Sequence, residues 1–270
     1  MRVMVLGEGK SGTTALLRSV ATAIGEPHEL FEPKILTPED LVPDPLVVKK
    51  LLLNWRNRDD ELKSHFDKLL FISRDPRDRL ISHLLYDAYN AAPSLTSAQR
   101  EQWLEVLTAK ATDPASISFM ALLFRWWEIA ERDLLSHHVR AVERVRKFFR
   151  RQYQGFNLLK YEDYVDGNFD ELNAYLGLEI APGVVEQDEQ RVDRRGTHGE
   201  WRSWFTAEDL TVMRPITDVG LTTQGYDPTD WALTTSGVID SATTVDYVRC
   251  LLYTSPSPRD QRGSRMPSSA

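Results

Sequence analysis

Two segments of the chain carry side chains that could bind a phosphate-like anion. The first reads GEGKSGTT and extends from Gly7 to Thr14. Backbone N–H groups at the start of a helix bind anions because they lack partners within the helix and lie at the positive end of its dipole. Glycines allow the backbone to approach an anion closely, Lys10 adds a positive charge, and Ser11 and the two threonines add hydroxyl donors. The segment therefore predicts a phosphate-binding loop.

The second segment reads FISRDPRDRLIS and extends from Phe71 to Ser82. Its apolar beginning predicts the end of a buried strand, and Pro76 suits the first turn of a helix. Arg74 would then leave the carboxyl end of a central parallel strand, where open α/β sheets bind their ligands. A guanidinium group can bind a phosphate through two hydrogen bonds. We expect the charged residues that follow, from Asp75 to Arg79, to form a solvated, salt-bridged helix start.

Strands that alternate with helices position these two segments. Apolar runs predict strands at 2–6, 28–31, 69–72 and 155–159. Apolar residues at helical spacing predict helices at 13–24, 46–52, 80–88, 97–109, 116–135, 139–151, 169–176 and 207–220. This alternation predicts an α/β fold with a central parallel sheet and helices on both faces, the three-layer arrangement of P-loop NTPase-like proteins.

A loop that binds ATP is the main alternative for the first segment. The Walker A pattern is G-x-x-x-x-G-K-[ST]. Gly9, Lys10 and Ser11 fit its end, but Met4 stands where its first glycine would be. Arg74 also stands where an NTPase would have a magnesium-binding Asp. A P-loop nucleotide kinase or NTPase and a non-catalytic nucleotide-binding protein both stay open as alternatives.

The second segment resembles the 3′-phosphate-binding motif of sulfotransferases that use PAPS (3′-phosphoadenosine 5′-phosphosulfate). The resemblance implies that Arg74 and Ser82 hold the 3′-phosphate of this donor and that the first segment holds its 5′-phosphosulfate. The implied donor-binding residues are Gly9, Lys10, Ser11, Gly12, Thr13, Thr14, Arg74, Ser82, Tyr161, Arg194, Arg195 and Gly196.

Two later segments resemble further parts of that family. The run LLKYED at 158–163 looks like the family strand that ends in Tyr-Glu-Asp, which implies that Tyr161 lies near the nucleotide. The run RRGTHGEW at 194–201 looks like the family loop that closes over the donor, with Arg195 in place of the usual Lys. The motifs occur in the expected order. We therefore expect a sulfotransferase domain over residues 1–228 and a C-terminal extension over residues 229–249.

The resemblance also implies the reaction, which is sulfuryl transfer from PAPS to a hydroxyl or amine of an acceptor. Lys10 would neutralise charge on the departing adenosine 3′,5′-bisphosphate. A base should take the proton of the acceptor. Many family members use a His in a Lys-Thr-His segment, which is absent from this sequence, whereas carbohydrate-type and several bacterial members have a Glu after the first helix. We expect His83 to point away from the site.

Phe31-Glu32-Pro33 matches a form in which that Glu occurs, so Glu32 is the predicted base. Glu29, three residues earlier, is the alternative. In a strand, an odd spacing places two side chains on opposite faces, so only one of the two carboxylates would serve the site.

Composition limits the partners and the location of the protein. A net charge of −7 argues against a general nucleic-acid binder, and no apolar stretch approaches the ~20 residues of a transmembrane helix. The single cysteine, Cys250, excludes a disulfide framework and a cysteine-based metal site. We expect a cytoplasmic enzyme that needs no metal and acts on a small-molecule or glycan acceptor.

The segment 250–270 differs in composition from the rest and is rich in Ser, Pro and Arg. Back-translated, residues 250–260 resemble a sequencing adapter read in frame, and residues 265–270 resemble its far end. We therefore expect this segment to be an adapter artefact and to be disordered.

Overall fold

The computed structural model describes residues 1–181, 197–234 and 238–253. The strands are β1 Arg2–Gly7, β2 His28–Phe31, β3 Leu46–Leu51, β4 Lys68–Ser73 and β5 Asn157–Lys160. The helices are α1 Thr13–Ile24, α2 Pro76–Ala91, α3 Ser97–Thr112, α4 Phe119–Ala130, α5 Leu134–Arg151, α6 Tyr161–Val165, α7 Asp170–Leu176, α8 Trp201–Trp204, α9 Ala207–Thr223 and α10 Tyr247–Tyr253. None of these helices is long and apolar enough to cross a membrane.

The five strands form one parallel sheet in the order β2-β3-β1-β4-β5. At the centre, Gly7 of β1 is aligned with Leu51 of β3 and Ile72 of β4. At the β4–β5 pair, Ser73 is aligned with Lys160. The carboxyl ends of the strands therefore lie along one edge of the sheet, which is where the predicted anion-binding segments begin. The predicted α/β fold class is confirmed.

The two faces of the sheet are covered by different helices. Val3 and Val5 of β1 belong to a cluster that contains residues of α1 and α7. Met4 and Leu6, which alternate with them, belong to a second cluster that contains Phe148 of α5. The period of two along β1 thus assigns successive side chains to opposite layers.

A third cluster joins the helices that lie beyond the sheet. Residues of α2, α3, α4, α9 and α10 form it, with Trp103 and Trp126 fully buried. The indole N–H of Trp126 donates a 2.9 Å hydrogen bond to Asp87 of α2, and Arg132 also pairs with this carboxylate. The cluster holds α2 in place directly after the end of β4.

The prediction of a helix over 46–52 is wrong, because this segment contains the buried strand β3. Leu46, Val47 and Val48 are fully buried. A central parallel strand is covered on both faces, so its apolar residues run without a break and do not alternate. Because Leu51 and Leu52 follow this run after two lysines, the apolar residues of 46–52 have the spacing of one face of a helix.

Two other boundaries differ from the predictions. The predicted helix over 116–135 is divided, because Glu131 adopts a left-handed conformation (φ 56°) after α4 and Asp133 caps α5. The prediction that a disordered segment begins at Cys250 is wrong for residues 250–253, which belong to α10. Leu251 and Leu252 are apolar and are buried there. Residues 254–270 lie outside the described residues.

Candidate functional site

The loop after β1 has the conformation that its glycines predict. Lys10 and Gly12 are left-handed, with φ values of 69° and 89°. The Ser11 hydroxyl donates a 2.7 Å hydrogen bond to the Glu8 carbonyl, which closes the turn. Gly12 is the N-cap of α1, and no described side chain caps this helix. The first N–H groups of α1 are therefore not satisfied by a capping side chain, as a phosphate-binding loop requires.

Tyr161 lies directly against this loop. A Cβ atom on Gly12 would be 2.5 Å from Cδ2 of the Tyr161 ring. The absence of a side chain at Gly12 thus allows the loop and the start of α6 to touch. Gly12 and Tyr161, both predicted to bind the donor, are about 150 positions apart in the sequence. The structure brings them into contact.

Arg74 connects the loop, α6 and the segment that begins at Thr197. Its Nη1 donates to the Lys10 carbonyl at 3.3 Å, and its Nη2 donates to the Thr197 carbonyl at 3.2 Å. The guanidinium carbon lies 4.3 Å from the centre of the Tyr161 ring. This arrangement fixes the plane of a guanidinium group that is 5% exposed.

Two donors at this junction are buried without a partner among the described residues. They are Nε of Arg74 and the hydroxyl of Thr197. A buried donor that forms no hydrogen bond costs on the order of 1–3 kcal/mol. An anion that accepted these hydrogen bonds would remove that cost, so the junction has the donors that a phosphate group needs.

Ser82 lies on the second turn of α2 and is buried. No hydrogen bond joins its hydroxyl to another described residue. Arg194, Arg195 and Gly196, which were predicted to bind the donor, lie outside the described residues.

Glu162 links the end of β4 to the C-terminal part of the chain. Its carboxylate accepts the Asp75 N–H at 3.0 Å and the Tyr226 hydroxyl at 2.6 Å. Burial, and then the charge of Glu162, raise the pKa of Tyr226 well above its ordinary value. Tyr226 therefore stays protonated and donates to Glu162 throughout the physiological pH range.

The charged start of α2 is buried, so the prediction of a solvated helix start is wrong. Asp75, Arg77, Asp78 and Arg79 are each at most 7% exposed. Arg77 pairs with Asp75 at 2.6 Å, and its guanidinium carbon lies 3.7 Å from the centre of the Trp201 ring. The sequence pattern did not reveal that the segment around Trp201 folds over this turn.

Asp78 holds that segment through two backbone N–H groups. Gly199 donates to it at 2.5 Å and Trp201 at 2.9 Å. Burial, and then repulsion from Asp75, raise the pKa of Asp78 to about 6, against the opposing charge of Arg74 and the two N–H donors. The carboxylate therefore changes charge in a mildly acidic range.

Glu32 lies beside the loop that follows β1, and Lys49 connects the two. The Lys49 ammonium donates to Glu32 at 2.5 Å and to the Thr14 hydroxyl at 2.7 Å. Lys49 is 2% exposed. Sequence reasoning missed this lysine because it assigned residues 46–52 to a helix. Two lysines at the end of an apolar run were the signal that could have identified it.

Glu29 pairs with Arg18 of α1, whereas Glu32 reaches Thr14 through Lys49. Both carboxylates are therefore on the side of α1, and the prediction that they lie on opposite faces is wrong. The strand ends at Phe31 and Glu32 is left-handed (φ 52°), so the alternation does not continue through Glu32. Through Lys49, Glu32 is linked to Thr14, which lies one helical turn closer to the loop than Arg18, the partner of Glu29.

His83 lies on α2, and that it points away from the site stays a prediction. The Lys10 ammonium is 3.7 Å from the centre of the Tyr86 ring, one turn after His83 on α2. Burial, and then the charge of Arg79, lower the pKa of His83 to about 3, and Lys10 acts in the same direction. The His137 ring lies 4.6 Å away. His83 is therefore neutral at physiological pH.

Within the described residues, no group of three or more His, Cys, Asp or Glu side chains could hold a metal ion.

Comparison with known proteins identifies distant similarity to solved structures only. No protein-family model matches the chain, and no curated protein matches it. Among solved structures, that of the mouse sulfotransferase SULT7A1 complexed with PAP is similar, with a TM-score of 0.47 and 15% sequence identity. The match covers 84% of this chain and 89% of that chain.

Replacement of Gly12 by Ala should destabilise the protein, because the new Cβ would meet the Tyr161 ring in a backbone conformation that Ala disfavours. We expect a loss of about 1–3 kcal/mol in the free energy of unfolding, measured with denaturant. Gly9→Ala is the matched control, since nothing lies within 4 Å of a Cβ at that position. Equal losses in the two variants would contradict the contact between Gly12 and Tyr161.

Asp78 should make stability depend on pH. Because its pKa is raised from 3.8 to about 6, the folded state holds the proton more tightly than the unfolded state. Its contribution to stability is therefore complete below pH 3.8 and is lost as the pH rises through about 6. We expect the free energy of unfolding of the wild type, minus that of Asp78→Asn, to fall across this window. A difference that stays constant or rises there would show that the pKa is not raised.

Proposed function

We propose that the protein is a sulfotransferase that takes its sulfuryl group from PAPS. The observation that carries this proposal is the junction at Arg74. A buried guanidinium group lies between the phosphate-binding loop and Tyr161, and its Nε has no partner among the described residues. A site for the 3′-phosphate beside a site for the 5′-phosphosulfate suits a nucleotide that carries phosphate on both sides of its ribose.

The same residues argue against ATP as the ligand. The first glycine of a Walker A motif is missing, because Met4 occupies its position. Met4 is a fully buried residue of β1 and not part of the loop. Arg74 follows β4, where an NTPase would place a carboxylate for magnesium. A cation at this position favours a phosphate that ATP does not have.

When bound, PAPS supplies an activated sulfuryl group and a bisphosphate nucleotide that can depart. The protein supplies positive charge and position, which dominate transfers of this kind. We propose that the N–H groups at the start of α1 and Lys10 stabilise the charge that grows on the departing phosphate. Lys49, which bonds to Thr14, stabilises the oxygens of the sulfuryl group.

Glu32 is the proposed base that takes the proton of the acceptor. Its side chain is 35% exposed, so an acceptor can reach it, and Lys49 holds it next to Thr14. Glu29 has the same chemical group but is held by Arg18 farther along α1. Position therefore favours Glu32 over Glu29.

Calorimetry with adenosine 3′,5′-bisphosphate, adenosine 5′-monophosphate and ATP tests the donor. We expect the bisphosphate to bind most tightly, and Arg74→Ala to weaken it by about 10- to 100-fold through the loss of charged hydrogen bonds. The affinity for the monophosphate should fall much less in this variant, since this nucleotide lacks the 3′-phosphate and loses only the support that Arg74 gives to the loop. Arg249→Ala, which alters an exposed arginine, should leave all three affinities unchanged.

A preference for ATP over the bisphosphate would overturn the proposed function. So would an equal loss of bisphosphate and monophosphate affinity in Arg74→Ala, because it would show that Arg74 does not distinguish the 3′-phosphate.

Sulfuryl transfer from ³⁵S-labelled PAPS to a panel of hydroxyl and amine acceptors tests the base. Glu32→Gln should lower the transfer rate by about 10²–10⁴-fold and should leave bisphosphate binding intact. Glu29→Gln is the matched control and should retain transfer. An active Glu32→Gln variant together with an inactive Glu29→Gln variant would transfer the assignment to Glu29.

A further inference from the structure

A cavity lies between α5 and the turn that follows β3. It has a volume of about 500 Å³ and is open to solvent. Five cationic side chains line it, namely Arg56, Arg140, Arg144, Lys147 and Arg151, and one carboxylate, Glu143. We call this cavity the basic groove. Its charge is opposite in sign to the net charge of the whole chain, which is −7.

Four of the cations are arranged in a row along α5. Residues 140, 144, 147 and 151 are spaced by four, three and four positions, so they share one side of the helix. At a rise of 1.5 Å per residue, the row extends over about 16 Å. A small ligand with one negative charge would engage only part of this row, whereas a ligand with several regularly spaced charges could engage all of it.

The outer cations of the row are available to a ligand. Arg140 and Arg151 are exposed and form no ion pair with another described residue. Lys147 is paired with Glu143 at 3.5 Å, but its side chain is 61% exposed. Glu8 and Glu143 offset the charges of Arg144 and Lys147, so the two outer arginines supply the positive charge that an anionic ligand would meet.

One ion pair connects the basic groove to the proposed donor site. Arg144 pairs with Glu8 of the phosphate-binding loop through two hydrogen bonds, of 2.6 and 3.1 Å. On the opposite wall, Leu52 follows the end of β3, three residues after the Lys49 that holds Glu32. A ligand in the groove would therefore lie next to the loop on the side of α5.

Trp55 adds an uncharged donor to the wall of the groove. It is 6% exposed, and its indole N–H has no partner among the described residues. A hydroxyl or carboxylate oxygen of a ligand could accept this hydrogen bond.

We propose that the basic groove binds the acceptor, and that the acceptor is an acidic carbohydrate chain. Such a chain has hydroxyl groups that can receive a sulfuryl group and repeated carboxylate or sulfate groups that match the row on α5. The inference rests on the proposed sulfotransferase function, because it identifies the groove as the acceptor side of that site. A flat membrane surface does not fit a concave groove, and the charge of the whole chain opposes general binding of nucleic acid.

Binding of a hexameric oligogalacturonate to the full chain, measured by calorimetry at low salt, tests this inference. We expect it to bind the wild type, whereas the neutral maltohexaose does not. The double variant Arg140→Glu/Arg151→Glu should bind it about tenfold more weakly. Arg150→Glu is the matched control, since Arg150 is an exposed cation of the same helix that does not line the groove.

A substitution that removes a negative charge from the groove should strengthen binding, which provides an independent readout. Glu143 is the one carboxylate that lines the groove, and it pairs with Lys147 and with Arg146. Glu143→Gln should therefore tighten binding of the oligogalacturonate by up to about fivefold. A merely structural role of the row would not produce this gain.

Adenosine 3′,5′-bisphosphate is titrated into each variant in parallel. Bisphosphate binding that is unchanged in the groove variants separates this inference from the donor site. If the wild type binds the bisphosphate but not the oligogalacturonate, the inference is overturned and the proposed function stands.

The inference is also overturned if Arg150→Glu weakens binding of the oligogalacturonate as much as the double variant does. Equal or tighter binding of a single-stranded oligonucleotide, or of phosphatidylserine vesicles, at the same charge concentration would likewise overturn it. If the bisphosphate does not bind the wild type, the proposed function itself fails.

Discussion

The buried guanidinium group of Arg74 is the contact on which the candidate site depends. Removing an arginine from water is costly unless its donors and its charge find partners. The carbonyls of Lys10 and Thr197 accept two of its hydrogen bonds, and the Tyr161 ring covers one face. These partners come from three distant segments of the chain. An anion that bound to the remaining donor would therefore act on all three segments at once.

The start of α2 uses buried charge in a second way, to hold the C-terminal part of the chain. Asp78 accepts two backbone N–H groups from the segment at Gly199, and Arg77 packs between Trp201 and Trp231. Trp231 belongs to the predicted extension over 229–249, yet it is buried in the same cluster as α2. The extension thus supports the turn that follows Arg74. In this way the part of the chain beyond the predicted domain contributes to the geometry of the site.

Local patterns predicted the elements around the loop but not the contacts between them. The strand at 28–31 and the helix at 13–24 have the predicted bounds, because a glycine-rich or Gly-Pro turn marks their ends. The strand β3 was missed because burial on both faces removes the alternation that identifies a strand. The contact of the Lys10 ammonium with the Tyr86 ring depends on how α2 packs across the loop, which no local pattern encodes. The row of cations on α5 lies in a predicted helix, but no local pattern indicated the wall that faces it.

The two lysines at the end of β3 explain how one strand serves both sides of the sheet. Successive side chains of a strand point to opposite faces. Lys50 therefore points away from α1, where it donates to the carbonyls of Pro33 and Lys34 and pairs with Asp59. Lys49 points toward α1 and reaches Thr14 and Glu32. One lysine holds the chain that follows Glu32, and the other holds Glu32 itself. Because the wall of the basic groove continues directly from this strand, a shift of β3 by one residue would exchange the two roles and displace the groove from the loop.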